Sequence, residues 1–265
     1  KTSAGTVSGS AGETPEQRVV RLEARVRELE VKTNEGLENL KNSKTLSWLN
    51  IYGLDNVETM EELAQVFAID DNILSDVMNP SLRPKVQEFE NGLFCTIKLL
   101  QYNDKDDTLS VENLSLIITE NTLISFQELS VHMFDPIRER IRKHKNKIRT
   151  AGSDYLAFAL LDVVVDNYIY VIGQLGDKIE ALEEDISNNP KKELLDDINS
   201  FKRELNFLRK HIKPAREMIL NLAKMESEFI HDDNRIHFTS FILDTHKAHP
   251  ITFLCLMRSK RCNTH

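Results

Sequence analysis

Between Asp154 and Met225 the apolar residues keep a helical seam for longer than a compact globule needs. Leu161, Val165, Tyr168, Ile172, Leu175, Ile179, Leu182 and Ile186 recur in alternating steps of four and three, which holds one stripe of a helix apolar. The stripe stops at Asn188-Asn189-Pro190, because proline has no backbone donor and pushes its predecessor out of helical geometry. It resumes at Leu194, Ile198, Phe201, Leu205, Leu208, Ile212, Ala215, Ile219 and Leu222. The spacing predicts two long helices folded back on each other, with Pro214 inside the second and expected to kink it rather than end it.

A hairpin of this length uses many residues without making a globule, so the rest of the 265-residue chain has to supply one. The expectation is an α/β (α+β) fold with an antiparallel-rich sheet flanked by helices. A poorly structured lead-in is expected over 1–27, an α/β/α part over 28–150, the hairpin over 151–226 and a truncated stalk helix or tail over 227–265.

Thr45 to Ile51 alternates apolar and polar residues and Gly53 closes it, as a half-buried strand does. Leu63, Val66, Phe67, Ile73, Leu74 and Val77 make two short helices that end before Pro80. Val86–Phe89, Leu93–Tyr102, Val111–Thr119 and Thr122–Glu128 read as consecutive strands of a meander. Glu90-Asn91-Gly92 and Glu120-Asn121 are its turns, with residue types that tolerate positive φ. Phe134 to Lys147 reads as a basic amphipathic helix opened by Asp135-Pro136. Near the N-terminus, Pro15, Val19, Leu22 and Val26 suggest a helix, although Arg27-Glu28-Leu29-Glu30-Val31 alternates like a strand.

A formal charge of −8 argues against a nucleic-acid surface and leaves divalent cations as partners. Cys95, Cys255 and Cys262 have no metal-ligand spacing, and three cysteines make no disulfide framework, which suits a reducing compartment. No uninterrupted run approaches the roughly 20 apolar residues of a membrane span, and the start has no secretory pattern. Nucleophile motifs, glycine-rich phosphate loops and His-x-x-x-His pairs are absent too, so nothing in the sequence points to an enzyme.

Carboxylates are more informative. Asp162 and Asp166 share one helix face in an otherwise apolar run, where acids are costly unless paired or bound to metal. Asp177, Glu180, Glu183, Glu184 and Asp185 crowd the hairpin tip with Glu193, Asp196 and Asp197, an acidic knob that attracts cations diffusely. His231, His237, His246 and His249 lie among Asp232, Asp233 and Asp244, without the spacing of a transition-metal site.

Several ordered motifs carry a resemblance: Asp76-Val77-Met78-Asn79, Arg83-Pro84-Lys85-Val86, Ser125-Phe126-Gln127-Glu128, Phe134-Asp135-Pro136-Ile137-Arg138-Glu139-Arg140, Asp154-Tyr155-Leu156 and Pro214-Ala215-Arg216-Glu217. From about Glu28 to Phe229 the chain resembles the cytoplasmic domain of CorA family magnesium transporters. The resemblance implies a homopentamer on the cytoplasmic face of the inner or plasma membrane. It also implies a regulatory Mg²⁺, other divalent cations being possible, and a Mg²⁺-sensing and gating role.

The membrane is expected to enter only through C-terminal spans, which this sequence lacks together with their Gly-Met-Asn tripeptide. Self-association is therefore expected to be weak or absent in this piece. By the same resemblance Asp76 binds the cation together with Asp244 of a neighbouring stalk, and Asp162 belongs to a second position. Ser75 replaces the family's frequent glutamate, and the sequence after Asp244 departs from the stalk pattern. A zinc-handling relative of the same fold and a structural coiled-coil scaffold are the alternative readings.

Overall fold

A computed structural model of the chain describes residues 20–24, 27–31, 37–38, 41, 45–103, 108–130, 132–143, 147–188 and 194–238. Strands β1 (Val20–Ala24), β2 (Arg27–Val31), β3 (Ser47–Tyr52), β4 (Lys85–Phe89), β5 (Gly92–Asn103), β6 (Thr108–Ile118) and β7 (Thr122–Gln127) form one sheet in the order β2-β1-β3-β7-β6-β5-β4. All neighbours are antiparallel except β3 and β7, which run parallel. A parallel pair needs a crossover rather than a tight turn. Here the crossover contains helices α1 (Val57–Phe67) and α2 (Asp71–Val77) together with the β4-β5-β6 meander.

Both faces of the sheet are covered, and the side-chain alternation of each strand divides them. Leu49, Ile51, Phe94, Ile117, Ile124 and Phe126 point to one face and pack with Met60, Leu63, Phe67, Ile73 and Val77 of α1 and α2. Trp48, Leu93, Cys95, Ile97, Leu116 and Leu123 point to the other and pack with three helices, α3 (Asp135–Arg142), α4 (Ser153–Asn188) and α5 (Leu194–Lys224). Burial on both sides explains the almost unbroken apolar run of β5, whose residues from Gly92 to Leu100 are all buried. It also holds the Cys95 thiol unreactive, its pKa pushed up to about 12 by desolvation.

The hairpin matches the seam. Leu161, Val165, Tyr168, Ile172, Leu175 and Ile179 of α4 join Leu205, Leu208, Ile212, Ala215, Ile219 and Leu222 of α5 in one core. With 36 and 31 residues, the helices are about 54 and 46 Å long. α5 continues through Pro214. Among the described residues, Ser153–Asp185 has the length and hydropathy of a membrane span. Its apolar stripe is instead buried beneath α5 and the sheet.

Three expectations change. The N-terminal helix gives way to the β1–β2 ribbon, so the lead-in expected over 1–27 holds a strand at Val20–Ala24 and the first residue of β2. β1 also pairs with β3, a partner more than 20 residues ahead that helical spacing does not reveal. The basic helix ends at Arg142 rather than Lys147, and residues 147–149 form a separate 3₁₀ turn. Gly92 does not carry positive φ; a Cβ there would lie 2.7 Å from the Ile118 carbonyl oxygen and 2.9 Å from the Phe89 ring, so close approach is what requires glycine.

Leu205→Ala or Ile179→Ala is expected to cost about 2–5 kcal/mol in chemical denaturation, as truncations of buried aliphatic residues do. Both side chains are at most 1% exposed. A loss below about 0.5 kcal/mol would show that the two seams are not packed together.

Candidate functional site

α1 and α2 place the first candidate residue. Asn56 caps α1, its side chain accepting from the Thr59 backbone N–H at 3.1 Å. α1 ends at Ala68 in the left-handed conformation, φ 51°, which turns the chain directly into α2. Leu74, Ser75, Met78 and Asn79 then border a groove of about 900 Å³ together with Glu61 and Asp71.

Asp76 stands on the adjacent flank of α2, turned toward β4. Its carboxylate is not an open helix end. The side chain is 23% exposed, and its Oδ2 accepts from Lys85 Nζ at 2.5 Å. Lys85 also donates to Gln87 Oε1 at 3.1 Å and lies 5.7 Å from the centre of the Phe94 ring.

The loop behind Asp76 is fastened from beneath. Lys98 and Asn113 are cross-strand partners on β5 and β6. Lys98 Nζ donates to the Pro80 carbonyl at 3.0 Å and Asn113 Nδ2 to the Asn79 carbonyl at 2.8 Å. Burial lowers the Lys98 pKa, with the Glu128 carboxylate acting in the opposite direction. Asn79 itself closes a turn, its Oδ1 accepting from the Ser81 backbone N–H. The backbone that carries Asp76 is thus fixed at both ends of α2.

Asp162 lies elsewhere. It is half-buried on α4 and Asp166 is exposed, so neither is a buried carboxylate in an apolar run. α2 and α4 cover opposite faces of the sheet, and one chain does not bring Asp76 and Asp162 together. Asp244, His246 and His249 lie outside the described residues. The acids of the hairpin tip, Asp177, Glu180, Glu184, Asp185, Asp196 and Asp197, are exposed. Among the described residues no group of three His, Cys, Asp or Glu side chains converges as a metal cage.

The two described histidines of the C-terminal group are engaged differently. His237 packs edge-on to Tyr155 and beside Phe158, with ring centres 5.2 and 5.3 Å away. His231 belongs to a joint between α4 and the helical segment 232–238. There the Asp154 carboxylate, fully buried, accepts from the His231 backbone N–H at 2.9 Å, His231 Nδ1 at 3.0 Å and Asn234 Nδ2 at 2.9 Å. Asn234 also donates to the Ala151 carbonyl at 2.6 Å. Gly152 runs alongside at φ 104°, where a Cβ would lie 2.5 Å from Asp154 Oδ1 and 3.1 Å from the His231 ring.

Sequence reasoning missed this joint, the Lys85 contact and the Lys98–Asn113 fastening. The joint links residues 77 apart in the chain, the β5–β6 register sets Lys98 beside Asn113, and β4 brings Lys85 back against Asp76 nine residues before it.

A model of the family described as CorA-like Mg2+ transporter protein matches residues 43–257. The cobalt/magnesium transport protein CorA of Thermotoga maritima is 36% identical over 198 residues, which cover 75% of this chain and 56% of that protein. The chain therefore spans little more than half the length of this relative. Among solved structures, the full-length CmaX protein superposes with a TM-score of 0.79 at 13% identity, covering 95% of this chain and 78% of that one. The soluble domain of CorA from Methanocaldococcus jannaschii superposes with a TM-score of 0.74 at 16% identity, covering 94% and 96%. At those identities the two structures establish a shared fold.

Asp154→Ala removes the acceptor of three donors, the His231 backbone N–H, the His231 ring and the Asn234 amide. A loss of about 1–3 kcal/mol is expected in chemical denaturation, the cost of buried polar groups left unpaired. A variant as stable as the wild type would show that the joint does not hold the segment.

Proposed function

Because the chain belongs to the family of CorA-like Mg2+ transporter proteins, we propose that it forms the Mg²⁺-sensing and gating part of a divalent-cation channel. In this reading its sheet and hairpin stand at the cytoplasmic face of the membrane. The observation that carries the reading is Asp76: a carboxylate on a short helix, fixed from beneath by Lys98 and Asn113 and beside a groove bordered by Glu61 and Asp71.

The donor chemistry fits the ion. A hard divalent cation takes carboxylate oxygens, keeps several waters and is held weakly by one aspartate from each of two subunits. Asp76 supplies one such carboxylate, paired in the single chain with the Lys85 ammonium. Asp244 of a neighbouring subunit is the proposed second ligand, and Asp162 the acid of a second, weaker position.

Bound between subunits, Mg²⁺ neutralises facing carboxylates and favours the closed ring of a homopentamer. When it leaves, the like charges repel and the ring loosens. Weak binding suits an abundant ion, because a sensor has to release its ligand within the range over which the concentration changes.

The test is thermal unfolding and solution mass over a Mg²⁺ series, run in parallel with Zn²⁺. Millimolar Mg²⁺ is expected to raise the unfolding temperature and shift a concentration-dependent mixture toward larger assemblies. Asp76→Asn is expected to shrink that response while leaving the metal-free fold intact. Equal responses in the two proteins would remove Asp76 from the sensor, and selective micromolar Zn²⁺ stabilisation would replace Mg²⁺ as the ligand.

A further inference from the structure

We propose that Lys85 is a tethered counter-ion that competes with the divalent cation for Asp76, and so sets the cation concentration at which the site responds. The inference rests on the reading of Asp76 as a cation ligand. It adds a residue and a direction to that reading.

The geometry is that of an occupied cation position. Lys85 Nζ lies 2.5 Å from Asp76 Oδ2, and neither side chain is fully exposed, at 35% and 23%. A metal ion approaching this oxygen meets an ammonium group already in place. Both cannot take Oδ2 at contact distance, because their like charges would stand side by side in a partly desolvated setting. Binding at that oxygen therefore becomes an exchange, the divalent ion entering as the ammonium withdraws.

The structure also provides somewhere for the ammonium to go. Gln87 follows two residues later on the same face of β4, and its Oε1 already accepts from Lys85 at 3.1 Å. The face of the Phe94 ring lies 5.7 Å away, within the range in which a cation is attracted to an aromatic quadrupole. A lysine has three donors on a flexible stem, so it keeps Gln87 and the ring when it gives up the aspartate. Lys85 thus has one strong partner that it loses and two weaker ones that it keeps.

The consequence has a sign. Without a divalent ion, Lys85 occupies Asp76 Oδ2, and the cation has to displace it in order to bind. Removing the ammonium while keeping the carboxylate makes Asp76 a better ligand. The Mg²⁺ concentration at half-response is expected to fall about two- to fivefold in Lys85→Gln, the range set by partly exposed ion pairs. Lys85→Arg keeps the charge and adds the fork that a carboxylate accepts, so its half-response should stay at or above that of the wild type.

The experiment uses the whole chain and MgCl2 as the probe. Wild type, Lys85→Gln, Lys85→Arg and Asp76→Asn are titrated by calorimetry and by the shift in unfolding temperature. The proposal expects a lower half-response in Lys85→Gln alone and little response in Asp76→Asn. An unmoved or higher half-response in Lys85→Gln, with the Asp76→Asn response lost, overturns the competition and leaves the sensing reading standing. A full response in Asp76→Asn overturns both.

A second measurement on the wild type needs no variant to fold. The rate of reductive methylation at Lys85, read by mass spectrometry against Lys213, is expected to rise with MgCl2 as the ammonium is released. A rate at Lys85 that does not depend on MgCl2 overturns the proposal.

Discussion

The centre of the sheet, β3 with β5, β6 and β7, is buried on both faces at once, and the rest of the molecule follows from that constraint. β5, β6 and β7 have no solvent side over most of their length, so every second residue must find a partner above and every other one below. α1 and α2 are short because they cover one half of one face. α4 and α5 are long because they cover the other and then continue past it. One set of polar residues caught in the layers forms a linked chain. Trp48 donates to Ser125, Ser125 to Asn50, Asn50 to Tyr52, and Arg138 reaches the same tyrosine hydroxyl.

The candidate site depends on that constraint as well. Lys98 and Asn113 point into the face covered by α1 and α2, where an unpaired ammonium would be costly. The carbonyls of Pro80 and Asn79 satisfy them, and in doing so hold the loop that ends α2. A buried charge that needs a partner and a loop that needs an anchor meet each other's requirement. Asp76 gains a fixed position from a contact it does not itself make.

Much of the fold was legible because long periodic segments leave few alternatives. The seam of α4 and α5 names its own partner through complementary apolar stripes, and the meander shows in strands separated by short polar turns. β1 was not legible, although the alternation of Arg27–Val31 marked β2 as a strand candidate. Leu22 fits a helical stripe as well as a strand, and what decides is pairing with β3, a non-local event that no window of residues contains. Asp76 was found through family likeness rather than through any physical signal of its own, since one aspartate near a helix end is commonplace. Lys85, nine residues further on, looked like one more surface lysine until the register of β4 brought it against the carboxylate. Asp162 and Asp166 show the converse. Their apolar neighbours suggested buried acids, but in a helix the residues beside a buried position turn away from it, and these two sit on the flank of α4.

Gly152 has a mechanical consequence. A methyl group there would strike the carboxylate and the imidazole that bind α4 to the segment after α5, so the joint has no spare volume in which to take up a small rotation. A connection of that kind transmits torque. Because α4 is rigid and about 54 Å long, a tilt of about 5° at the joint displaces its far end by roughly 5 Å. The same tilt would scarcely disturb the hydrogen bonds at the pivot. A rotation imposed at that joint would therefore be magnified along α4, with a gain set by helix length rather than by any residue at the moving end.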